Sequence, residues 1–375
     1  MDFTINAKTD RLVIGGCIAA LITIGAIFLL TRCSNQYLYV EGPLPEKQAE
    51  LPKEEPILEP EEPEDLRTGA FLTGLPIDDD YLYRRPFAVM INNSRASWPH
   101  SGVASADIIY EALVEGADTR LMAVFQSEIP DKIGPVRSVR DYYVDMALNH
   151  DAVIVFHGSS PGGMGRVQNI GIDHFDGMAL EGTTFWRDQS QPYWWQGGWR
   201  GLEHSSFTGA TRLFERVESW NTRDEFSDDR LFRLHFGEIP EDLVSIGHAN
   251  RFTVPFSTAY PRTFVFDEAE GHYLVENFNG AMLDAETRTQ VAVANVLIQL
   301  TSVWVADNVG RQAVTTVGSG TGYFATGGEV FAVRWEKAAH NAPMRWYFEN
   351  GEPIVLTPGR TWINVIQSYA TINFE

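Results

Sequence analysis

Leu12–Leu30 is an unbroken run of nineteen residues without a charge, and it constrains this chain more than any other feature. As a helix rising about 1.5 Å per residue it covers about 28 Å, close to the hydrocarbon thickness of a bilayer. The stretch that follows, Glu41–Leu66, holds ten acidic residues, two lysines and six prolines. Such a segment cannot bury enough apolar surface to fold, and its like charges keep it extended. The chain therefore reads as a tail over 1–11, a transmembrane helix or uncleaved signal anchor over 12–31, a linker over 32–67, and folded structure beyond.

A cleaved signal peptide is the weaker reading, because its apolar region is shorter and ends in small residues. Here the run ends Leu29-Leu30-Thr31-Arg32-Cys33. Lipidation of Cys33 is the alternative to a retained helix, with Arg32 standing where a lipobox has a small residue. Lys8 and Arg11 precede the run while Arg32 and Lys47 follow it, so the positive-inside count is nearly even. A short tail ahead of a first apolar helix stays cytoplasmic, which sends the bulk of the chain out. The expectation is a single-pass cell-membrane protein with its folded part extracytoplasmic.

Composition narrows the chemistry. Cys17 and Cys33 are the only cysteines, so the ectodomain has no disulfide, cysteine-based metal site or cysteine nucleophile. From residue 68 onward 23 basic residues face 38 acidic ones, a net charge of −15. That background repels nucleic acid. Only Lys132 and Lys337 remain as lysines there, so a local anion site would be built from arginine.

About 290 residues follow the linker, more than one core usually serves. We expect a mixed α/β domain over 68–249, a β-sheet flanked by helices, and a β-rich barrel or sandwich over 250–375, an α+β chain overall. Phe87–Ile91, Ile108–Val114, Leu121–Ser127 and Ala152–Phe156 read as strands, the middle two joined through Gly116-Ala117-Asp118. Apolar residues at Val136, Val139, Tyr142, Tyr143 and Met146 predict a helix over 136–148. Thr208 is expected to cap a helix through Trp220 with Leu213, Phe214 and Val217 inward. Beyond 250, short β-branched and aromatic runs recur up to Trp362–Ile366. Gly327-Gly328 and Asn350-Gly351 read as hairpin turns, both residues of each accepting positive φ, in an antiparallel arrangement.

Three constellations invite a chemical reading. Gly158-Ser159-Ser160-Pro161-Gly162 fits a GxSxG pattern after a strand, but Pro161 has no N–H to offer an oxyanion. Ser160 is read instead as a helix cap with Pro161 at the first helical position. Arg137 and Arg140 fall in the first turn of the predicted helix, where the dipole disfavours cations. Either an anion binds between them, or Glu111, Glu115 or Asp141 neutralises them; Arg120 could join either arrangement. His157 and His204 could approach the same sheet edge, where ligands gather in open α/β sheets. Asp267, Glu268, Glu270 and His272 read as a solvated turn, and Tyr193, Trp194, Trp195 and Trp199 as an irregular insertion able to grip a partner.

Many short motifs appear in an order that resembles the YerB-like lipoproteins of bacteria. They run from Arg85-Pro86, Met90-Ile91-Asn92-Asn93, Ser101-Gly102, Ala106-Asp107-Ile108 and Tyr110-Glu111 through Thr119-Arg120 and Phe125-Gln126-Ser127. Gly134-Pro135-Val136-Arg137-Ser138 with Arg140, His157-Gly158, Phe185-Trp186-Arg187 and His204 to Thr208 continue the series. Gly318 to Trp335, Pro358-Gly359 and Thr361-Trp362-Ile363 are similar to a separate C-terminal domain. The resemblance implies a membrane-anchored extracytoplasmic protein of a family of unknown function, and supplies no mechanism. Arg32 ahead of Cys33 and a longer stretch between Arg187 and His204 depart from the family pattern.

The candidate ligand-binding set is Arg120, Arg137, Ser138, Arg140, His157, Gly158, Arg187 and His204, with no catalytic residue, cofactor or metal assigned. The leading expectation is a binding or scaffolding ectodomain for an anionic envelope component. Its rivals are an enzyme on phosphate-bearing envelope polymers, with His157 or His204 as base, and a structural partner docking through Trp194, Trp195 and Trp199.

Overall fold

The computed structural model describes residues 69–190, 192–193, 198–227, 234–278 and 280–375, with the backbone alone at 192, 193, 198 and 199. The apolar run, Cys33 and the linker lie outside the described residues, as do Trp194 and Trp195; of Trp199 only the backbone is described. No helix among the described residues is long and apolar enough to cross a membrane.

The apolar runs of the N-terminal half form β1 (Phe87–Asn92), β2 (Ile108–Leu113), β3 (Thr119–Phe125) and β4 (Val153–Phe156), each buried along its whole length. Strands apolar on both faces belong in a sheet covered on both sides. Two helices cover one face: α1 (Asp141–Ala147) and α2 (Pro161–Ile170), packed against Ala88, Met90, Tyr110 and Val124. Tyr142 and Tyr143 fasten α1 by donating hydroxyl hydrogen bonds to the carbonyls of Leu113 (2.6 Å) and Arg120 (2.5 Å). A short edge strand, β5 (His174–Asp176), runs parallel to β4.

The other face carries α3 (Ala210–Trp220), whose Leu213 and Val217 are buried against Phe87, Val89 and Ile91. Beside it lies a second, antiparallel sheet of β6 (Arg251–Pro255), β7 (Pro261–Asp267) and β8 (His272–Asn277). Phe264 of β7 meets Trp362 of the large sheet edge to face, ring centroids 5.9 Å apart.

The large sheet does not stop at the N-terminal half. It is continued by β9 (Asn295–Thr301), β10 (Gly318–Thr326), β11 (Glu329–Lys337), β12 (Arg345–Phe348) and β13 (Thr361–Gln367). β13 lies between β2 and β9 and pairs parallel with both. From one end the order is β11, β10, β9, β13, β2, β3, β1, β4, β5, with β12 and Gly247–His248 also on β11. The fold is the expected α+β class. Within its β-rich C-terminal part, the parallel seating of β13 departs from the antiparallel expectation, because strands of both halves share one sheet.

Three local expectations are corrected. Residues 135–139 are extended, not helical, and α1 begins only at Asp141. The Asn92 N–H donates to Pro135 O (2.8 Å), Arg137 N–H to Met90 O (2.9 Å), and Val139 N–H to Gly158 O (3.0 Å). This segment is a bridge between the end of β1 and the turn after β4. Gly209, not Thr208, stands before α3; the Thr208 hydroxyl donates instead to Thr184 O at 3.0 Å. A side chain at 209 would collide with the Asp131 backbone, which is why glycine serves there. At Asn350-Gly351 only the glycine takes positive φ (93°), whereas Gly327 and Gly328 both do so between β10 and β11.

Candidate functional site

β1, β4 and β5 are mutually parallel, so their carboxyl ends open at one edge of the sheet. Ligand crevices form at such ends in α/β sheets. There a cleft of about 580 Å³ is lined by Arg137, Ser138, His157, Gly158, Asp176 and Arg187, among others. His157 and Gly158 directly follow β4 and Asp176 ends β5. Arg137 and Ser138 sit on the extended bridge, and Arg187 lies on a two-residue strand, Trp186–Arg187, paired with Ser206–Phe207.

Backbone chemistry shapes the floor. Gly158 takes φ of 78°, a conformation other residues adopt at a cost. Its N–H donates to Asp176 Oδ1 at 2.9 Å, and the same oxygen accepts from Met178 N–H at 2.9 Å. Asp176 thereby caps the short turn Gly177–Leu180. Gly177 lies so near the His157 ring that a Cβ there would overlap it.

The His157 ring is held on both nitrogens. Arg187 Nη2 lies 3.0 Å from Nε2, and Ser206 Oγ lies 2.8 Å from Nδ1. A guanidinium has only donors, so Nε2 accepts and the proton sits on Nδ1, donated to Ser206. Burial, reinforced by the Arg187 charge, holds His157 below the ordinary imidazole range. Acting as a base would require it to give up Arg187 first. Arg187 itself pairs with Glu181 at 2.7 Å and donates to Leu202 O at 2.8 Å. That hydrogen bond to Arg187 keeps the Glu181 carboxyl below its usual range.

Arg137 is differently placed. Its Nη1 donates to a backbone carbonyl, Glu203 O at 2.9 Å. No carboxylate lies within ion-pair distance of it among the described residues. It is half-buried, and desolvation pulls its pKa below the usual guanidinium value.

Five of the eight expected ligand residues, Arg137, Ser138, His157, Gly158 and Arg187, thus meet in one cleft. His204 lies beside it: Asn92 Nδ2 stands 2.7 Å from its Nδ1, tying it to the end of β1, while its neighbours Leu202 and Glu203 line the cleft. Arg120 and Arg140 lie behind the bridge. Glu115 takes both, with Arg140 Nε at 2.7 Å and Arg120 Nη2 at 3.7 Å. Arg120 Nη1 also donates to Ser138 O at 2.6 Å. Burial, and the neighbouring Arg140 charge after it, bring Arg120 down to about 10. These two arginines hold the segment that presents Arg137, and the expected pairing of Arg137 with Arg140 at a helix start does not occur. Sequence reasoning missed Asp176, Met178, Glu181, Leu202 and Ser206. Of these only Asp176-Gly177 carries a local signal, that of a capped turn.

Fold and cleft together define an α+β protein with an arginine-bearing cleft at the ends of parallel strands. Two sequence profiles match the chain. One is described as the N-terminal domain of a protein of unknown function (DUF3048), over residues 72–220, and the other as the C-terminal domain of the same, over 252–363. The "Putative lipoprotein YerB" of Bacillus subtilis (strain 168) is 30% identical over 302 residues, covering 79% of this chain and 85% of that protein. A crystal structure of the YerB protein from Bacillus subtilis superposes with a TM-score of 0.70 at 29% identity, covering 81% of this chain and 99% of that one. The chain belongs to the YerB-like family, which unites the DUF3048 N-terminal and C-terminal domains.

Proposed function

We propose that this chain is a membrane-anchored extracytoplasmic binding module whose cleft takes an anionic component of the cell envelope. The observation that carries the reading is Arg137. A half-buried guanidinium inside a cleft, with no carboxylate within ion-pair distance and only the more distant Glu203 charge set against its desolvation, is incompletely compensated, and an incoming anion supplies what the fold withholds. Arg187 stands across the same cleft with its charge shared with Glu181. The 19-residue apolar run, the acidic linker and the lipoprotein name of the Bacillus relative support the anchored, extracytoplasmic setting. The intact His157–Arg187 contact favours binding over a reaction with His157 as base.

The test is thermal unfolding of the full-length protein in detergent, with inorganic phosphate or pyrophosphate added. A ligand at about a hundred times its dissociation constant stabilises by about 2.7 kcal/mol. We expect a rise in melting temperature that Arg137→Ala abolishes. Absence of any rise, or a rise that survives the substitution, overturns the reading.

A further inference from the structure

The cleft has a polar floor and apolar lips. Met178 and Leu202, both lining it, are 70% and 58% exposed. Each is fixed by its backbone and not by burial of its side chain. Met178 sits in the turn capped by Asp176, and Leu202 opens the turn whose carbonyls receive Arg187 and Arg137. The residues that present the charge therefore also hold an apolar side chain in water at the rim. Two large apolar groups flanking one cleft mark a binding surface more than scattered exposure does. The volume points the same way: about 580 Å³ lies within the range of sites for drug-sized molecules and far exceeds one phosphate group.

We infer that the ligand is an anionic amphiphile, a phosphate ester of an apolar chain. Its head meets Arg137 on the floor and its chain leaves between Met178 and Leu202. This rests on the anion-binding reading above and adds the tail. The linker over 32–67, fully extended, spans about 120 Å at roughly 3.3–3.6 Å per residue, so a cleft on that tether reaches lipid in the membrane that anchors it.

The experiment titrates full-length protein in phosphatidylcholine nanodiscs with methyl phosphate and with hexyl phosphate, by calorimetry against protein-free nanodiscs. The two probes share a head and differ in the tail. We expect hexyl phosphate to bind at least tenfold more tightly, and Arg137→Ala to abolish both. The double variant Met178→Ser, Leu202→Ser should lower hexyl phosphate to the level of methyl phosphate. Both replaced side chains are solvent-exposed, so the variant should keep the wild-type melting temperature. Equal binding of the two probes overturns the amphiphile and leaves the anion site standing. Failure of both to bind overturns the two readings together. Hexyl phosphate binding that survives Arg137→Ala shows apolar adsorption and also overturns both.

Discussion

His157 shows how one side chain's neighbours decide its chemistry. Arg187 cannot accept a hydrogen bond, so Nε2 must, and a proton added to that nitrogen would face a guanidinium 3.0 Å away, only partly offset by the Glu181 carboxylate at 3.6 Å. Burial adds to the penalty, and both effects hold the imidazole neutral. In the unfolded chain the same histidine takes its proton near pH 6.5. Between that pH and its lower native value the unfolded state therefore binds more protons than the native state, and stability falls as pH falls. Above pH 6.5 it contributes no slope. His157→Gln should remove this share, up to about 1.4 kcal/mol per pH unit, so its urea midpoint should decline less than that of wild type between pH 6.5 and 5. His100 and His150, both brought down by burial to about 3, slope both proteins alike and cancel in the comparison. Parallel declines would mean that His157 keeps an ordinary value. His157 was legible because a histidine at a strand end is visible in the chain itself, whereas Arg137 was singled out for a place in a helical first turn that does not form there. Glu181 and Ser206 were not legible, since they reach His157 from 24 and 49 positions away in sequence.

At the scale of elements, local signals worked where the element is locally determined. Ser160 caps α2 as its sequence suggests: Oγ accepts from Gly163 N–H at 3.0 Å and Pro161 occupies the first turn. Ser160→Ala should cost about 1 kcal/mol, read as a lowered urea midpoint with an unchanged slope, and Ser160→Asp should retain most of the stability. Full stability in the alanine variant would show that α2 is held by packing alone. The bridge over 135–139 shows the opposite case. Val136 and Val139 have helical spacing relative to Tyr142, Tyr143 and Met146, yet they are apolar because an extended segment is buried between β1 and the turn after β4. Periodicity reports which residues are buried, and two different geometries produced the same spacing here. Thr208 failed for a similar reason. Its hydroxyl is drawn to Thr184 O, and the tight approach of Asp131 puts glycine at the cap.

At the scale of the molecule, the least legible feature was the seat of β13. Thr361–Ile366 is buried at every position, and such an unbroken run suits a central strand. Nothing local says that its neighbours are β2, some 250 residues earlier, and β9. The joint between the two sheets is likewise set by distant partners. Glu111 on β2 accepts from Arg262 of β7 through both oxygens, at 2.8 and 3.2 Å, and from Asn93 and Thr119 at 3.2 and 2.7 Å. The side chains of Glu111 and Arg262 are 0% and 2% exposed, and the guanidinium lies 5.0 Å from the Trp362 ring centroid on β13. Glu111 was one expected partner for Arg137 and Arg140; it is instead committed to fastening the second sheet. A buried pair is weak evidence of net stability, because desolvation opposes its attraction, but breaking it strands a charge. Arg262→Met should therefore cost about 3–5 kcal/mol. Adding Glu111→Gln should restore most of the loss, since a neutral amide oxygen still serves Asn93 and Thr119 while no charge remains buried. Urea unfolding of the two single variants and the double variant gives the coupling directly. A double variant as unstable as the sum of its singles would mean that the two residues act through shape and not through charge. A joint held by the pair would instead make the second sheet the first part to loosen when either charge is lost, visible as early amide exchange along β6 to β8.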